Sequence, residues 1–246
     1  QKTAYEIYQC DWSSDVCSSD LTTRDGPRGA GSFTILTLSA YHANPAPHDL
    51  RAVLDASAAD IVLLQESNGA AAADISASLS GYHRLRSCPQ SACSLTILSR
   101  WPLHRIALPR PGETGLPDLL AAQIDRPGAA FRVIDLHLPR MTLPHAERHK
   151  GELVSMIRST GAQTPLLAGG DFNLATGTFA LRRLVNDSGL NRVDRLIPSY
   201  PANLPVPAFL PIDHILASGH WRRKGCRPVR GTGSDHLGII CTFAEG

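Results

Sequence analysis

Long apolar runs are missing from this chain of 246 residues. No stretch has the length that a membrane-spanning helix needs. Lysine and arginine are scattered, and without a dense basic block charge alone assigns no nucleic-acid groove. Aromatic residues make up only 6% of the sequence. That leaves Trp101, Trp221 and Tyr200 as candidates for stacking on a base, with core packing the competing role for each tryptophan. No segment repeats at a fixed period and no linker divides the chain. The cysteines do not cluster as zinc ligands do.

The first 21 residues lack every ordinary signal. QKTAYEIYQCDWSSDVCSSDL has neither hydrophobic period, and no apolar region follows Lys2, which excludes a signal peptide. The string matches the translation of the two constant parts of an indexed short-read sequencing adapter. Tyr8 and Gln9 stand where the index would be. Residues 1–21 are therefore read as an adapter-derived artefact, disordered and outside the fold; a disordered polar N-terminus is the alternative. Setting them aside leaves 23 basic and 18 acidic residues, a net charge of +5, and the cysteines Cys88, Cys93, Cys226 and Cys241. This mild charge permits a phosphate-bearing substrate without demanding one.

What remains suits one domain with a sizeable core. Residues 22–32 are a Gly- and Arg-rich lead-in, and the domain runs from 33 to 246. Short apolar runs alternate with amphipathic ones. Residues 33–38, 61–64, 95–98, 119–124, 131–138, 166–168, 212–216 and 237–243 read as strands. Residues 49–58, 142–159 and 179–185 read as helices. The first places Leu50, Val53 and Leu54 on one face. The second turns Leu153, Val154 and Ile157 inward and has Thr142 as its cap. Residues 198–211 hold Pro198, Pro201, Pro205, Pro207 and Pro211, the mark of a long irregular loop. The class is α/β or α+β with many strands.

Chemistry concentrates at the strand ends. Leu166-Leu167-Ala168-Gly169-Gly170-Asp171-Phe172-Asn173 closes an apolar strand with two glycines, then an Asp and an Asn. At strand spacing those two side chains share a face. The glycines let backbone pass close to a ligand. An Asp can take a proton from water and an Asn amide can hold that water or a phosphate oxygen; an Asp-x-Asn turn with local bonding is the plainer reading. Glu66 follows the apolar residues 61–64. His137 alternates within an apolar strand, where a satisfied core histidine competes with a functional one. Asp213 starts a strand, and Asp235-His236 precedes the last one. Each motif is common by accident; their order and spacing together are not.

Taken together, Leu63-Leu64-Gln65-Glu66, residues 97–103, His137-Leu138, Gly170-Asp171-Phe172-Asn173, Ile212-Asp213-His214-Ile215-Leu216 and Ser234-Asp235-His236 resemble the DNase I-like endonuclease/exonuclease/phosphatase superfamily, over residues 33–244. The resemblance implies a four-layer sandwich, two packed β-sheets flanked by helices. It implies a Mg²⁺ or Mn²⁺ cofactor, with Glu66 as principal ligand and Asp235 near the metal or its water. Asp171 would activate or orient the attacking water, with Asn173 positioning it. His236 would contact the scissile phosphate, with Asp213 as its carboxylate partner. His137 would contact the phosphate or aid the leaving group. An oxygen-rich donor set agrees with Mg²⁺ or Mn²⁺ rather than zinc. One position departs. The family's first strand ends in an Asn that supports the metal; here Ser39 stands there, a weak metal-site member acting through a water or leaving the site weakened. Asn44 is too far along to replace it.

The expected activity is hydrolysis of a phosphodiester, of nuclease or phosphodiesterase type. A phospholipid, sphingomyelin or other phosphomonoester hydrolase is the alternative, as is a non-enzymatic binding module with an impaired site. Nucleic acid is one candidate partner, and Arg182, Arg183, Arg222, Arg223 and Lys224 are candidates for a basic rim or simply solvated surface. No obligate protein partner is evident, and a monomer is expected. A Cys88–Cys93 bridge is expected from the short loop containing Pro89; Cys226 and Cys241 fall on candidate neighbouring strands. Bridged cysteines would place the protein in an extracytoplasmic, oxidising compartment; four reduced thiols would fit the cytosol.

Overall fold

In a computed structural model, residues 31–68, 79–87, 94–108, 118–139 and 143–245 are described, for 118 and 143–150 by backbone alone. The adapter-like segment, residues 22–30 of the lead-in, the Thr142 cap and the Cys88–Cys93 loop lie outside them.

The first strand, β1 (Phe33–Ser39), is buried at every position. Phe33 and Ile35 belong to one apolar cluster, Leu36 and Leu38 to another. A strand that is apolar on both faces must be covered on both, and this requirement sets the layers. Helix α1 (Pro47–Ser57) covers the outer side with Leu50 and Leu54, each 1% exposed and worth roughly 1.5–3 kcal/mol of burial. It stops where Ala58 turns left-handed. The chain returns as β2 (Ile61–Gln65), parallel to β1. The strands β3 (His83–Arg86), β4 (Thr96–Ser99), β11 (Trp221–Val229) and β12 (Gly238–Glu245) complete one six-stranded sheet, in the order β11-β12-β1-β2-β4-β3.

The second sheet repeats this plan. It contains β5 (Leu103–Ile106), β6 (Asp118–Ile124), β7 (Phe131–His137), β8 (Leu166–Asp171), β9 (Asn191–Arg192) and β10 (Asp213–Ala217), in the order β5-β6-β7-β8-β10-β9. Each sheet has one parallel pair at its centre, β1 with β2 and β7 with β8, among antiparallel neighbours. The second crossover is helix α2 (Leu143–Gly161), which buries Leu153, Val154 and Ile157 as the periodicity requires. Helix α3 (Phe179–Ser188) packs beside it on the same outer face, capped by the Thr178 hydroxyl, which accepts from the Leu181 amide at 3.3 Å. The result is the expected four-layer sandwich, helix, sheet, sheet, helices.

The space between the sheets changes character along its length. At one end Phe33 gathers Phe131, Trp221 and Phe243 with ring centroids 5.0, 5.1 and 5.8 Å away. Trp101 and Trp221 both belong to this packing, so neither is a stacking platform. At the other end the same inward face carries Thr37, Gln65 and Asp135, all fully buried. The parallel strands point their C-terminal ends to this polar end, where sheets of this kind place their ligand sites.

Cys226 and Cys241 sit directly opposite each other on β11 and β12 and form a disulfide, with Cα atoms 4.1 Å apart. The bridge closes a separation of 15 residues. A loop of that size gives about 3 kcal/mol through the unfolded chain. Denaturant unfolding with and without reductant is expected to differ by that order; coincident curves would show that the bridge adds nothing.

Candidate active site

Cross-strand pairing places His137 beside Asp171 and Asp171 beside Asp213, one row at the polar end of the second sheet. His236 comes from the other sheet, just before β12. The Asp213 carboxylate meets its Nδ1 at 2.8 Å, and both residues are buried. The His236 Nε2 lies 3.9 Å from Asp171 Oδ2, and His137 Nε2 lies 3.7 Å from the same oxygen. His137 Nε2 is also 3.9 Å from Glu66 Oε1. Asp171, Asp213, His236, His137 and Glu66 are thus drawn together from five separate segments.

Electrostatics follow from this crowding. Burial and then the Asp213 charge push the Asp171 carboxyl up to about 7, against the lowering effects of His236 and the Asn173 amide. For His236, burial works to lower the pKa, but the Asp213 charge and hydrogen bond, with Asp171 and Asp235, overcome it and push it up to about 9. At neutral pH the imidazole is therefore protonated. Glu66 is partly desolvated, which raises its pKa, yet two hydrogen bonds from His42 leave it below its ordinary value.

The two glycines before Asp171 serve packing, not the ligand approach that their sequence context suggested. A Cβ on Gly170, at φ 151°, would fall 1.9 Å from the Leu136 carbonyl oxygen, and one on Gly169 would fall 2.9 Å from the Leu63 side chain. The β7 backbone forbids any side chain at Gly170, and one at Gly169 would require the Leu63 side chain to shift. Asn173 also departs from strand spacing. It lies beyond the strand at φ 48°, and its amide nitrogen donates to Asp171 Oδ1 at 2.8 Å. Its side chain donates to the Leu138 carbonyl at 2.7 Å and to Asp171 Oδ2 at 3.2 Å. The local Asp-x-Asn turn is real, and it is what fixes the Asp171 carboxylate.

Asp235 is half-buried, with its Oδ1 3.5 Å from the Ser234 hydroxyl oxygen. Ser39 is fully buried, and its hydroxyl has no hydrogen-bond partner; only its carbonyl serves the site, accepting from Ser234 Oγ at 2.6 Å. Asn44 does not replace a metal-supporting Asn: its amide donates to the Thr232 carbonyl at 2.9 Å and braces the loop that carries Asp235 and His236. Arg222, Arg223 and Lys224 lie by residues 243–245 of β12, the strand end opposite His236, so they form no rim.

Several residues outside the predicted catalytic and metal set support this site. His42 grips Glu66. Ser199 Oγ accepts from the Asp213 amide at 3.2 Å, and the Tyr200 ring stands 4.9 Å from the His236 ring. His214, fully buried, links Asp194 Oδ2 at 3.0 Å to the Leu174 carbonyl at 2.9 Å and pins the turn after Asp171 to β10. Of these His214 carried a signal, as the residue beside Asp213, and Tyr200 was a stacking candidate whose ring meets His236.

Among the described residues, one group offers three ligand atoms within 4.8 Å of one another: Asp171, Asp213 and His236. The sequence had instead paired Glu66 with Asp235. His236 Nδ1 is already engaged by Asp213 Oδ2 at 2.8 Å, so the Asp171–Asp213–His236 group is first a charge network. The wider donor set of Glu66, Asp171, Asp235 and Asn173 is oxygen alone, and Asp213 Oδ1 is buried without a partner. That chemistry fits a Mg²⁺- or Mn²⁺-type ion.

A model of the endonuclease/exonuclease/phosphatase family matches residues 31–236. The chain belongs to this family. No curated protein matches it in sequence. Among solved structures, the family member from Bacteroides vulgatus is 14% identical with a TM-score of 0.71, covering 87% of this chain and 99% of its own. D. rerio TDP2 complexed with single strand DNA product is 18% identical with a TM-score of 0.65, covering 86% and 98%. The human Nocturnin catalytic domain with bound sulfate anion is 14% identical with a TM-score of 0.65, covering 88% and 94%. At these identities the likeness is one of fold.

Beneath the site, Gln65 Nε2 donates to Asp135 Oδ1 at 2.5 Å, tying the strand of Glu66 to the strand of His137. Asp135 is fully buried and burial raises its pKa well above the ordinary value. The folded protein resists its ionisation, so stability is full below the unfolded pKa of about 3.9 and is lost as pH rises through the folded value. Asp135→Asn keeps the acceptor for Gln65 and removes the charge. Urea unfolding is expected to show the variant gaining on wild type from pH 4 to pH 8. A gap independent of pH would refute this account.

Proposed function

We propose that the chain is a divalent-metal-dependent hydrolase that cleaves a phosphodiester by attack of an activated water. The observation that carries this reading is the buried facing of Asp171 and His236 across 3.9 Å, with Asp213 bonded to the far side of the imidazole. Burial and the Asp213 charge push the Asp171 carboxyl up to about 7, and Asp213 pushes His236 up to about 9. Near neutrality the first is poised to take a proton and the second to give a hydrogen bond to an anion.

The roles follow. Asp171, held by Asn173, accepts a proton from the attacking water as its oxygen bonds to phosphorus. His236, kept upright by Asp213, places its Nε2 proton on a non-bridging phosphate oxygen where charge builds. His137 contacts the phosphate or protonates the departing oxygen as its bond to phosphorus breaks. Glu66, with Asp235 nearby, would hold the metal, which when bound supplies charge neutralisation on the phosphate. The TDP2 relative with its single strand DNA product supports a nucleic-acid phosphodiester.

One observation favours a lipid phosphoester as a second reading. Residues 198–211 carry no charge, and their Leu204, Val206 and Phe209 are 50–60% exposed. The loop is fastened to the site, since the Ala202 amide donates to the Asp235 carbonyl at 2.7 Å. An uncharged, apolar loop suits a lipid surface better than a polyanion. We also read the protein as a monomer. The Cys226–Cys241 bridge supports an oxidising, extracytoplasmic location; among the described residues no helix is long and apolar enough to cross a membrane.

The test is hydrolysis of bis-p-nitrophenyl phosphate, plasmid DNA and sphingomyelin vesicles with Mg²⁺ or Mn²⁺. Wild type is expected to cleave at least one. The Asp171→Ala, His236→Ala double variant is expected to lose roughly a thousandfold or more. Cleavage of sphingomyelin but not DNA would select the lipid reading. Equal background rates for both proteins on all three substrates would leave a binding module and remove the enzyme.

A further inference from the structure

Among the described residues, five large apolar side chains are half exposed or more. They are Phe179 and Leu196, each 66%, Phe209 at 60%, Leu204 at 51% and Val206 at 50%. All five fall between Asp171 and Asp213, the two acids paired across β8 and β10. Single exposed apolar residues scattered over a surface need no explanation; five in one arc of chain beside a site do.

The arc is built to hold them out. The Tyr200 amide donates to the Leu210 carbonyl at 3.0 Å, and the Leu210 amide donates back to the Tyr200 carbonyl at 2.8 Å. This pair closes residues 201–209 into a tip, of which 203–207 and 209 are exposed. Pro201, Pro205 and Pro207 stiffen it, so it has little freedom to lose on docking. The base of the tip is fastened to the loop of His236. The Leu237 amide donates to the Ser199 carbonyl at 2.7 Å, as the Ala202 amide does to that of Asp235. The turn that leads to Phe179 joins the same base, its Thr176 amide donating to the Pro211 carbonyl at 3.1 Å.

Charge decides the occupant. Between Asp171 and Asp213 the chain carries Arg182, Arg183, Arg192 and Arg195 against Asp187 and Asp194. Asp194 is fully buried on His214, and Asp187 lies 3.8 Å from Arg183. Arg182, Arg183 and Arg195 are exposed. The arc therefore presents cations behind an uncharged apolar tip. A nucleic acid would meet the cations, but Leu204 and Val206 offer its bases no flat ring to stack on. A second copy would set the same cations against themselves across a two-fold interface. A bilayer takes both parts, with apolar tips at the acyl boundary and arginines at the phosphates.

We propose that this arc is a membrane-docking edge, on which Leu204, Val206 and Phe209 enter the surface of a bilayer that carries anionic phospholipid. It rests on the lipid reading of the site given above. Entry of the tip brings Asp235 and His236, to whose loop it is bonded, down to the level of the head-group phosphates.

Flotation of the metal-free protein with vesicles measures docking apart from any reaction. Wild type is expected to float with vesicles of roughly four parts phosphatidylcholine to one of phosphatidylserine. The triple variant Leu204→Ser, Val206→Ser, Phe209→Ser is expected to lose about tenfold or more in affinity. The Arg182→Gln, Arg183→Gln variant is expected to lose several-fold at low salt and less at high salt. A tryptophan in the tip, Phe209→Trp, is expected to shift its emission to the blue on the vesicles. All these side chains are exposed, and unchanged thermal melts would show that the variants fold. Equal flotation of wild type and the triple variant would overturn the edge, as would a wild type that does not float. So would a wild-type dimer that the triple variant abolishes, or plasmid DNA binding that depends on the tip. Flotation without cleavage of any substrate would remove the hydrolase and keep the edge. Cleavage without flotation would remove the edge and keep the hydrolase.

Discussion

The buried contact between Asp213 and His236 is the constraint on which this structure turns. Asp213 begins β10 in one sheet, and His236 leads into β12 in the other. Their 2.8 Å hydrogen bond closes the polar end of the sandwich and sets its charge. Asp213 keeps His236 protonated, and its negative charge also helps to raise Asp171. A base near neutrality and a positive donor are thereby made in one stroke from residues that alone would be an ordinary acid and an ordinary histidine. A buried ion pair of this kind costs desolvation and is a poor source of stability.

The rest of the fold prepares that contact. The space between the sheets is aromatic at the Phe33 end and hydrogen-bonded at the Gln65–Asp135 end. Two parallel strand pairs aim their C-terminal ends at the polar side, and the residues that matter form the last ladder pairs, as His137, Asp171 and Asp213 do, or follow them directly, as Glu66 does. Gly169 and Gly170 allow β8 to lie against Leu136 and Leu63 so closely that Asp171 reaches the row between His137 and Asp213. Asn173 and His214 then hold the following turn, one from within it and one from β10.

Much of this was legible in the amino-acid order, for a physical reason. Strands covered on both faces read as unbroken apolar runs, so β1, β2, β7 and β8 declared themselves, and the acids at their ends followed. The edge strands did not. The short β3 and β5 and the long β11 are largely polar and exposed, with sequences such as His83-Arg84-Leu85-Arg86 that carry neither period. Residues that act through the backbone or from loops were also hidden. Ser199 and His42 have no local pattern, because their partners Asp213 and Glu66 lie far away in sequence. The glycines were seen and their purpose misread, since a ligand and a neighbouring strand place the same demand on a backbone. Which carboxylates cluster most tightly depended on the pairing of β8 with β10, which no spacing along the chain encodes.

The claim that most needs measurement is the charge state of His236, since the proposed chemistry depends on an imidazolium facing Asp171. A ¹⁵N NMR titration of the metal-free protein reads it directly. The account predicts both ring nitrogens protonated at neutral pH and a midpoint near 9. A midpoint at or below the ordinary value of 6.5 would contradict it.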